Sequence, residues 1–454
     1  MVHIYKQNGF NIVLDVNSGA VHNVDELAYD ILEVMIGLGV ETPAQNQPEQ
    51  VIEKLKGKYA EKDIIEAYGD IFELYKAGLL FSSDNYLDVK KLSNKKAPVK
   101  ALCLHIAHDC NLRCRYCFAD TGEYNHKREL MSFEVGKAAI DFLIKQSESR
   151  RNLEVDFFGG EPLMNFEVVK QIVKYAKGLE KEHNKNFRFT VTTNGVLLDD
   201  KKMAFINEYM SNVVLSIDGR KEVNDKVRIR VDGTGCYDSI LPKFQEMARL
   251  RGQMKYYVRG TFTRYNLDFD NDVMHLAEQG FDQISVEPVA AQEDADYSIR
   301  KEDLTVVFNS YDRLAKKMLD TGRKFNFFHF MIDLKQGPCV IKRIRGCGSG
   351  NEYLAIAPSG DIYPCHQFVG HDEFYMGNII ENSFNEKIKN QFATYSIFSK
   401  PECMKCWAKY YCSGGCNANN YLYEGDITKS YKIACEMEKK RVECAIMMKV
   451  AEAD

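Results

Sequence analysis

The chain has 454 residues, of which 45% are hydrophobic and 28% charged, and a formal net charge of −5. That balance describes a globular protein long enough for two or three packed domains. It lacks the basic excess that binding to nucleic acid or to an anionic membrane demands. No apolar run approaches the roughly 18–20 residues that span a bilayer, and the first ten residues show no export pattern, so a cytoplasmic location is expected. Fourteen cysteines are the anomaly. In a chain without an export signal they point to metal binding rather than to a disulfide framework.

In chain order, residues 1–90 form a cysteine-free unit. Phe10 to Val16 reads as a strand, Asn17-Ser18-Gly19 as a turn, and Ala20 to Val24 as the returning strand. Asp25 then caps a helix whose apolar positions Leu27, Ile31, Leu32 and Met35 share one face. A polar loop over 41–48 precedes two more helices, Pro48 to Lys58 and Glu61 to Ala77, the second closed by Gly78. The order predicts a winged-helix-like module. Acidic residues between Asp25 and Glu73 match the lysines, which argues against a DNA-binding role. The lysine-rich stretch that follows, residues 91–100, reads as a linker.

Residues 101–330 alternate strand and helix. Predicted strands are Leu102–Ile106, Leu153–Phe158, Phe187–Thr192, Val213–Ile217, Tyr256–Phe262 and Gln283–Val286. Predicted helices include Ser132–Gln146, Phe166–Lys181, Tyr237–Arg251 and Asp268–Gln279. Such repetition implies parallel strands with helical crossovers, and six units are too few for an eight-fold barrel. The expected fold class is α/β with a partial (β/α)6 barrel. From 331 to 454 cysteine, glycine and aromatic residues become dense, and one long helix, Tyr431 to Met448, closes the chain.

The first cysteine cluster, Cys110-Asn-Leu-Arg-Cys114-Arg-Tyr116-Cys117, follows the first barrel strand. Three thiolates this close can converge on one iron–sulfur cube, and a missing fourth cysteine leaves one iron open to a small molecule. A zinc site completed by His105 or His108 is the competing reading. This arrangement resembles the signature of the radical S-adenosylmethionine (SAM) superfamily, and three further segments match it in order. Phe158-Gly159-Gly160-Glu161-Pro162 resembles the motif that holds the SAM amino group, with two glycines for close backbone approach and a carboxylate to accept ammonium hydrogen bonds. Thr192-Thr193-Asn194-Gly195 and Ser216-Ile217-Asp218-Gly219 resemble the segments lining the SAM ribose and carboxylate, with Ser216 and Asn194 the foremost polar contacts. By the same resemblance Arg228 pairs with the SAM carboxylate and Glu287, in Val286-Glu287-Pro288, lies on the adenine side. Polar residues at the carboxyl ends of successive strands are where barrel active sites lie.

The C-terminal third holds Cys347, Cys365 at the end of Gly360-Asp-Ile-Tyr-Pro-Cys365, then Cys403-x2-Cys406-x5-Cys412-x3-Cys416, and finally Cys435. This pattern resembles the SPASM domain of radical SAM peptide-modifying enzymes. The resemblance implies two auxiliary [4Fe–4S] clusters: an outer one on Cys403, Cys406, Cys412 and Cys435, and an inner one on Cys347, Cys365 and Cys416. Either Cys339 or a substrate thiolate completes the inner cluster, the open site being favoured. With the SAM-binding cluster, three [4Fe–4S] clusters are expected. Cys103, Cys236 and Cys444 fit no motif and are expected to be buried thiols; His366 and Trp407 are expected to have packing roles.

The N-terminal hairpin and helices resemble a RiPP recognition element, in which a leader peptide adds a strand to a sheet edge. Gly9-Phe-Asn-Ile-Val-Leu-Asp-Val-Asn-Ser-Gly-Ala-Val-His22, taken with the seven-cysteine tail, is similar to the maturases of SCIFF peptides (six cysteines in forty-five residues). That resemblance implies an enzyme forming sactionine thioethers, cysteine sulfur to α-carbon, in a cysteine-rich precursor peptide, supplied with electrons by a ferredoxin- or flavodoxin-type protein. Two alternatives remain: another radical SAM–SPASM protein-modifying enzyme, such as a formylglycine-forming sulfatase maturase, and an iron–sulfur or zinc-binding regulator.

Overall fold

The computed structural model describes residues 1–44, 48–84, 97–124, 127–322, 324–334 and 344–453. Cys339 and most of the expected linker lie outside these residues.

The N-terminal unit is a three-stranded antiparallel sheet, β1 (Val2–Gln7), β2 (Phe10–Asp15) and β3 (Val21–Asn23), followed by α1 (Glu26–Gly37), α2 (Glu49–Leu55) and α3 (Glu61–Lys76). Asp25 caps α1 as expected, its carboxylate accepting from the Ala28 N–H at 2.8 Å. Ile31, Leu32 and Met35 turn inward, while Leu27 is only partly buried. Strand β1 was not expected. It pairs with β2 from Val2↔Asp15 to Gln7↔Phe10, across a turn in which Asn8 and Gly9 both have positive φ. Asn-Gly is the strongest two-residue hairpin signal, because both positions of the tight turn require that conformation.

Side-chain alternation lets the small sheet serve two cores. Val13 points into a local cluster with Ile31, Leu32, Ile64 and Ile71, while Ile12 and Leu14 point into the main core. Each buried aliphatic of this kind contributes about 1.5–3 kcal/mol, so the unit is stabilised from both faces.

The central unit runs β4 (Ala101–His108), β5 (Glu129–Leu130), α4 (Phe133–Gln146), β6 (Asn152–Gly159), α5 (Phe166–His183), β7 (Asn186–Thr193), α6 (Asp200–Tyr209), β8 (Met210–Ser216), α7 (Lys221–Val227), α8 (Tyr237–Arg251), β9 (Lys255–Phe262), α9 (Phe269–Glu278), β10 (Gln283–Pro288), α10 (Leu304–Asp320) and β11 (Asn326–Phe327). Strands β4 and β6 to β10 are the six expected ones, mutually parallel and in chain order. The fold is therefore mixed α/β with a partial (β/α)6 barrel. Two short strands extend or flank it beyond expectation: β11 pairs parallel to β10, and β5 pairs antiparallel to the end of β4.

The C-terminal region is short-segmented: β12 (Tyr353–Ile356), β13 (Ile362–Tyr363), α11 (Glu386–Thr394), α12 (Pro401–Met404), α13 (Lys409–Cys412), α14 (Asn417–Glu424) and the long α15 (Lys432–Ala453). It is not set apart from the barrel. Strand β12 pairs parallel to β4, Tyr353↔Ala101 to Ile356↔Leu104, and so continues the barrel sheet. Helix α15 packs along α10 and reaches the N-terminal unit, where Tyr5 donates to the Glu443 carbonyl at 2.9 Å. Among the described residues no helix is long and apolar enough to cross a membrane.

Candidate functional site

The first cysteine loop is fixed from two sides. The Arg113 and Arg115 N–H groups donate to the carbonyls of Ile229 (2.6 Å) and Val227 (2.9 Å), which brings the segment carrying Arg228 against the cysteines. On the other side, the Gly160 N–H donates to Ala107 O at 2.7 Å and the Glu161 N–H to Asp109 O at 2.9 Å. This contact gives the two glycines a role in addition to the expected one. A Cβ on Gly159 would stand 2.4 Å from Ala107 O, and one on Gly160 would stand 2.1 Å from Asp109 O. Gly159 also has φ +119. The glycines let the second loop lie directly on the backbone of the cysteine loop.

A single pocket at the carboxyl ends of β4 and β6 to β8 is lined by Cys110, Cys114, Cys117 and Tyr116 from the first loop. Gly159, Gly160 and Glu161 line it from the second, Thr193 and Asn194 from β7 and its following turn, Ser216 from β8, and Arg228 from beyond α7. Pro162 and Asp218 stand behind this wall. Pro162 is buried at the start of a 3-10 turn, and Asp218 is fully enclosed. The carboxylate of Glu161 faces the protein: it accepts from the Thr193 hydroxyl (2.8 Å), the Asn194 N–H (2.8 Å) and the Leu163 N–H (3.0 Å). Burial pushes its pKa up, and these hydrogen bonds oppose the shift. Glu161 thus joins two strand ends.

Tyr116, Asp218 and Arg228 form a buried chain. Arg228 Nη1 donates to the Tyr116 hydroxyl at 2.8 Å, and that hydroxyl donates to the Asp218 carboxylate at 2.7 Å. Asp218 also accepts from the Thr261 N–H at 2.9 Å. The Arg228 guanidinium keeps one buried, unpartnered N–H at Nε. The three thiols are pushed up by burial, Cys110 to about 11, and each has another of the three as a charged neighbour or Arg228 as a nearby cation. Tyr116→Phe is expected to destabilise the fold by about 1–3 kcal/mol, because two buried charged groups each lose a partner; urea unfolding of the metal-free protein measures it.

Three convergent thiols, an adjoining guanidinium with a spare buried donor, and polar groups at successive strand ends fit a four-iron cluster carrying a small zwitterionic ligand. The competing zinc arrangement finds no support in the geometry. His105 and His108 are buried and share a hydrogen bond of 3.0 Å with each other, packed against Tyr124.

The structure places Glu287 away from this pocket. It lies in a second cavity beside Cys412, Cys416, Cys435 and Arg441. There its carboxylate is 3.0 Å from His329 Nε2, and Arg259 and Arg441 lie within 3.9 Å. Burial works against the anion, but His329 and the two guanidinium groups hold its pKa well below the usual carboxylate range. The sequence marked neither His329 nor Arg441, since residues about 40 and 150 positions downstream reach Glu287 only through the fold.

The seven C-terminal thiols fall into two groups. Cys403, Cys406, Cys412 and Cys435 line one cavity, supplied by α12, the turn after it, the end of α13 and the first turn of α15. The other group is Cys347, Cys365 and Cys416. Burial pushes the Cys365 thiol well up, and Cys416 and Cys347 push it further. Cys103, Cys236 and Cys444 are buried. His366 is enclosed with Phe118 and Phe158 at ring distances of 5.5 and 5.1 Å.

Comparison with known proteins agrees with this layout. A family described as a 4Fe-4S single cluster domain matches residues 99–237, and the SPASM iron-sulfur cluster-binding domain matches 347–407. The radical SAM cyclopropyl synthase TigE of Paramaledivibacter caminithermalis is 24% identical over 75% of this chain and 72% of its own. A cysteine-type anaerobic sulfatase-maturating enzyme of Clostridium novyi is 25% identical over 68% of this chain and 86% of its own. Among solved structures, native anSMEcpe with bound AdoMet superposes with a TM-score of 0.64 at 21% identity, covering 78% of this chain and all of that one. Streptococcus suis SuiB bound to S-adenosylmethionine gives 0.53 at 16% identity, covering 94% of this chain and 97% of that one. Fold, pocket and paired iron–sulfur domains define the class: a radical SAM enzyme with a C-terminal SPASM domain.

Proposed function

We propose that this enzyme matures a ribosomally made, cysteine-rich precursor peptide by forming sactionine thioethers. The observation that carries the reading is the convergence of Cys110, Cys114 and Cys117 in one pocket with Ser216, Asn194 and Arg228. In this reading those thiols hold a four-iron cluster with one iron left for SAM, and the reduced assembly supplies a 5′-deoxyadenosyl radical. Cys403, Cys406, Cys412 and Cys435 hold an outer auxiliary cluster. Cys347, Cys365 and Cys416 hold an inner one, whose remaining position takes a substrate thiolate or Cys339.

Residues 1–90 are the recognition unit, joined by a linker over 91–100 to the barrel of 101–330 and the cluster-bearing 331–454. Strands β1 and β3 each have one edge unpaired in the small sheet, so an extended leader can add a strand there. The SuiB match, over 94% of the chain, is long enough to take in most of this unit, whereas anSMEcpe is matched in full by 78%. SuiB has also been solved with its precursor peptide SuiA. Both points support a peptide substrate held partly by the N-terminal unit.

The chemistry balances as a two-electron oxidation. When bound, SAM and the clusters would supply the radical that takes the acceptor α-hydrogen and would take up the one electron left over as the C–S bond forms, the substrate thiol giving up its proton. The barrel walls position the reacting atoms and exclude water. An electron donor of ferredoxin or flavodoxin type completes the cycle.

Incubating the anaerobically reconstituted full-length protein with SAM, dithionite and a synthetic cysteine-rich precursor peptide is expected to lower the peptide mass by two hydrogens per crosslink. Unchanged peptide mass during active SAM cleavage would reject the reading. The sulfatase-maturase resemblance favours a second one, oxidation of a cysteine to formylglycine. That product loses its sulfur, so the same mass spectrum separates the two.

A further inference from the structure

Between the two C-terminal thiol groups lies a side chain that no motif marks. Lys400 precedes α12 and is 2% exposed. Its Nζ donates to Gly414 O at 2.6 Å and to Asn417 Oδ1 at 3.2 Å. Gly414 and Asn417 flank Cys416 of the three-thiol group, while Cys403 of the four-thiol group follows Lys400 by one helical turn. The side chain therefore ties the two groups together.

No carboxylate among the described residues pairs with this ammonium. The ionisable groups around it are the thiols of Cys403, Cys412, Cys416 and Cys435, and burial works against its charge. Other cations near the thiols differ. Lys432 is 64% exposed and paired with Glu402, and Lys439 is 34% exposed and paired with Glu436. Arg441 is balanced by Glu438 and Glu287. A buried ammonium without an anion is destabilising by several kcal/mol. Thiolate-held four-iron clusters carry net negative charge and gain one more unit on one-electron reduction, and nearby charge and hydrogen bonds set their potentials. The anion that the side chains lack is the one the clusters bring.

We propose that Lys400 is the shared counter-charge of the two auxiliary clusters, tuning both so that each accepts an electron more readily. This rests on the two-cluster reading given above, and the two fail separately. Iron content of the otherwise unaltered protein, expected at about twelve atoms per chain for three clusters, tests that reading; potentials of Lys400 variants test the proposal.

The test uses the full-length chain carrying Cys110→Ala, Cys114→Ala and Cys117→Ala together, so that only auxiliary clusters report in an EPR-monitored titration. Lys400→Gln keeps a hydrogen-bond donor and removes the charge. It is expected to retain iron and to shift both midpoints to more negative potential, while Lys400→Arg stays near the parent. Unchanged midpoints in fully loaded Lys400→Gln, or a shift in only one cluster, would overturn the proposal. Where Lys400→Gln loads no auxiliary cluster, full loading of Lys400→Arg supports it. Failure of both shows that the shape of lysine matters rather than its charge, and overturns it.

Discussion

Replacing Cys114 by alanine is expected to drop reductive SAM cleavage to background while about eight of about twelve iron atoms stay bound. Cys114 lies between the other two thiols of its loop, and burial pushes its thiol up while the Arg228 guanidinium opposes the shift. In the proposed reading, two thiols would not retain the cube whose open iron takes SAM. The C-terminal groups draw on separate loops and, among the described residues, have no backbone hydrogen bond to residues 110–117, so their loading is expected to persist. Iron analysis and chromatographic detection of 5′-deoxyadenosine give the two readouts. Loss of all iron would mean that the clusters assemble as one unit, and retained cleavage would remove the pocket from the mechanism.

Gly159→Ala is expected to destabilise the metal-free protein by about 2–6 kcal/mol. The estimate combines a backbone conformation that L side chains rarely adopt, about 1–3 kcal/mol, with overpacking of similar size. The residue has φ +119, and its Cβ would meet Ala107 O at 2.4 Å. Because Ala107 leads directly into the cysteine loop, any relief of the clash displaces Cys110, and SAM binding falls with stability. Gly178→Ala is the control. Gly178 lies within α5 with nothing within 4 Å of an added Cβ, so this change is expected to stabilise by about 0.5–1 kcal/mol. Urea unfolding of the pair separates a contact-specific effect from general glycine replacement.

What the sequence made legible follows the range of the interactions involved. The six parallel strands were readable because each is a short β-branched or aromatic run between amphipathic helices, and the cap at Asp25 is a local signal that the fold keeps. The cysteine loop was readable because its three thiols sit within one turn of chain. Less legible were features decided by distant backbone. The glycines of the second loop line the pocket, and only the fold shows that they also accommodate residues 107–109. Glu287 does not line the pocket of the three cysteines, and its partners His329 and Arg441 were not marked by any local pattern. Strand β1 was overlooked although Asn8-Gly9 announced it. Lys400 had no spacing to reveal it, since its relation to four cysteines exists only once α12, α14 and α15 are assembled.

The continuation of the barrel sheet by β12 has a consequence for how the chain is partitioned. Strand β4 is buried along its whole length and launches the loop that carries Cys110, yet on one side its ladder partner comes from some 250 residues downstream. A protein ending near residue 330 would leave the most apolar strand of the barrel as a bare edge, an invitation to stacking between molecules. The catalytic half is thus not an autonomous module to which an electron-handling tail was appended. Its margin is completed by that tail, and shortening the chain is a route to aggregation rather than to a minimal enzyme.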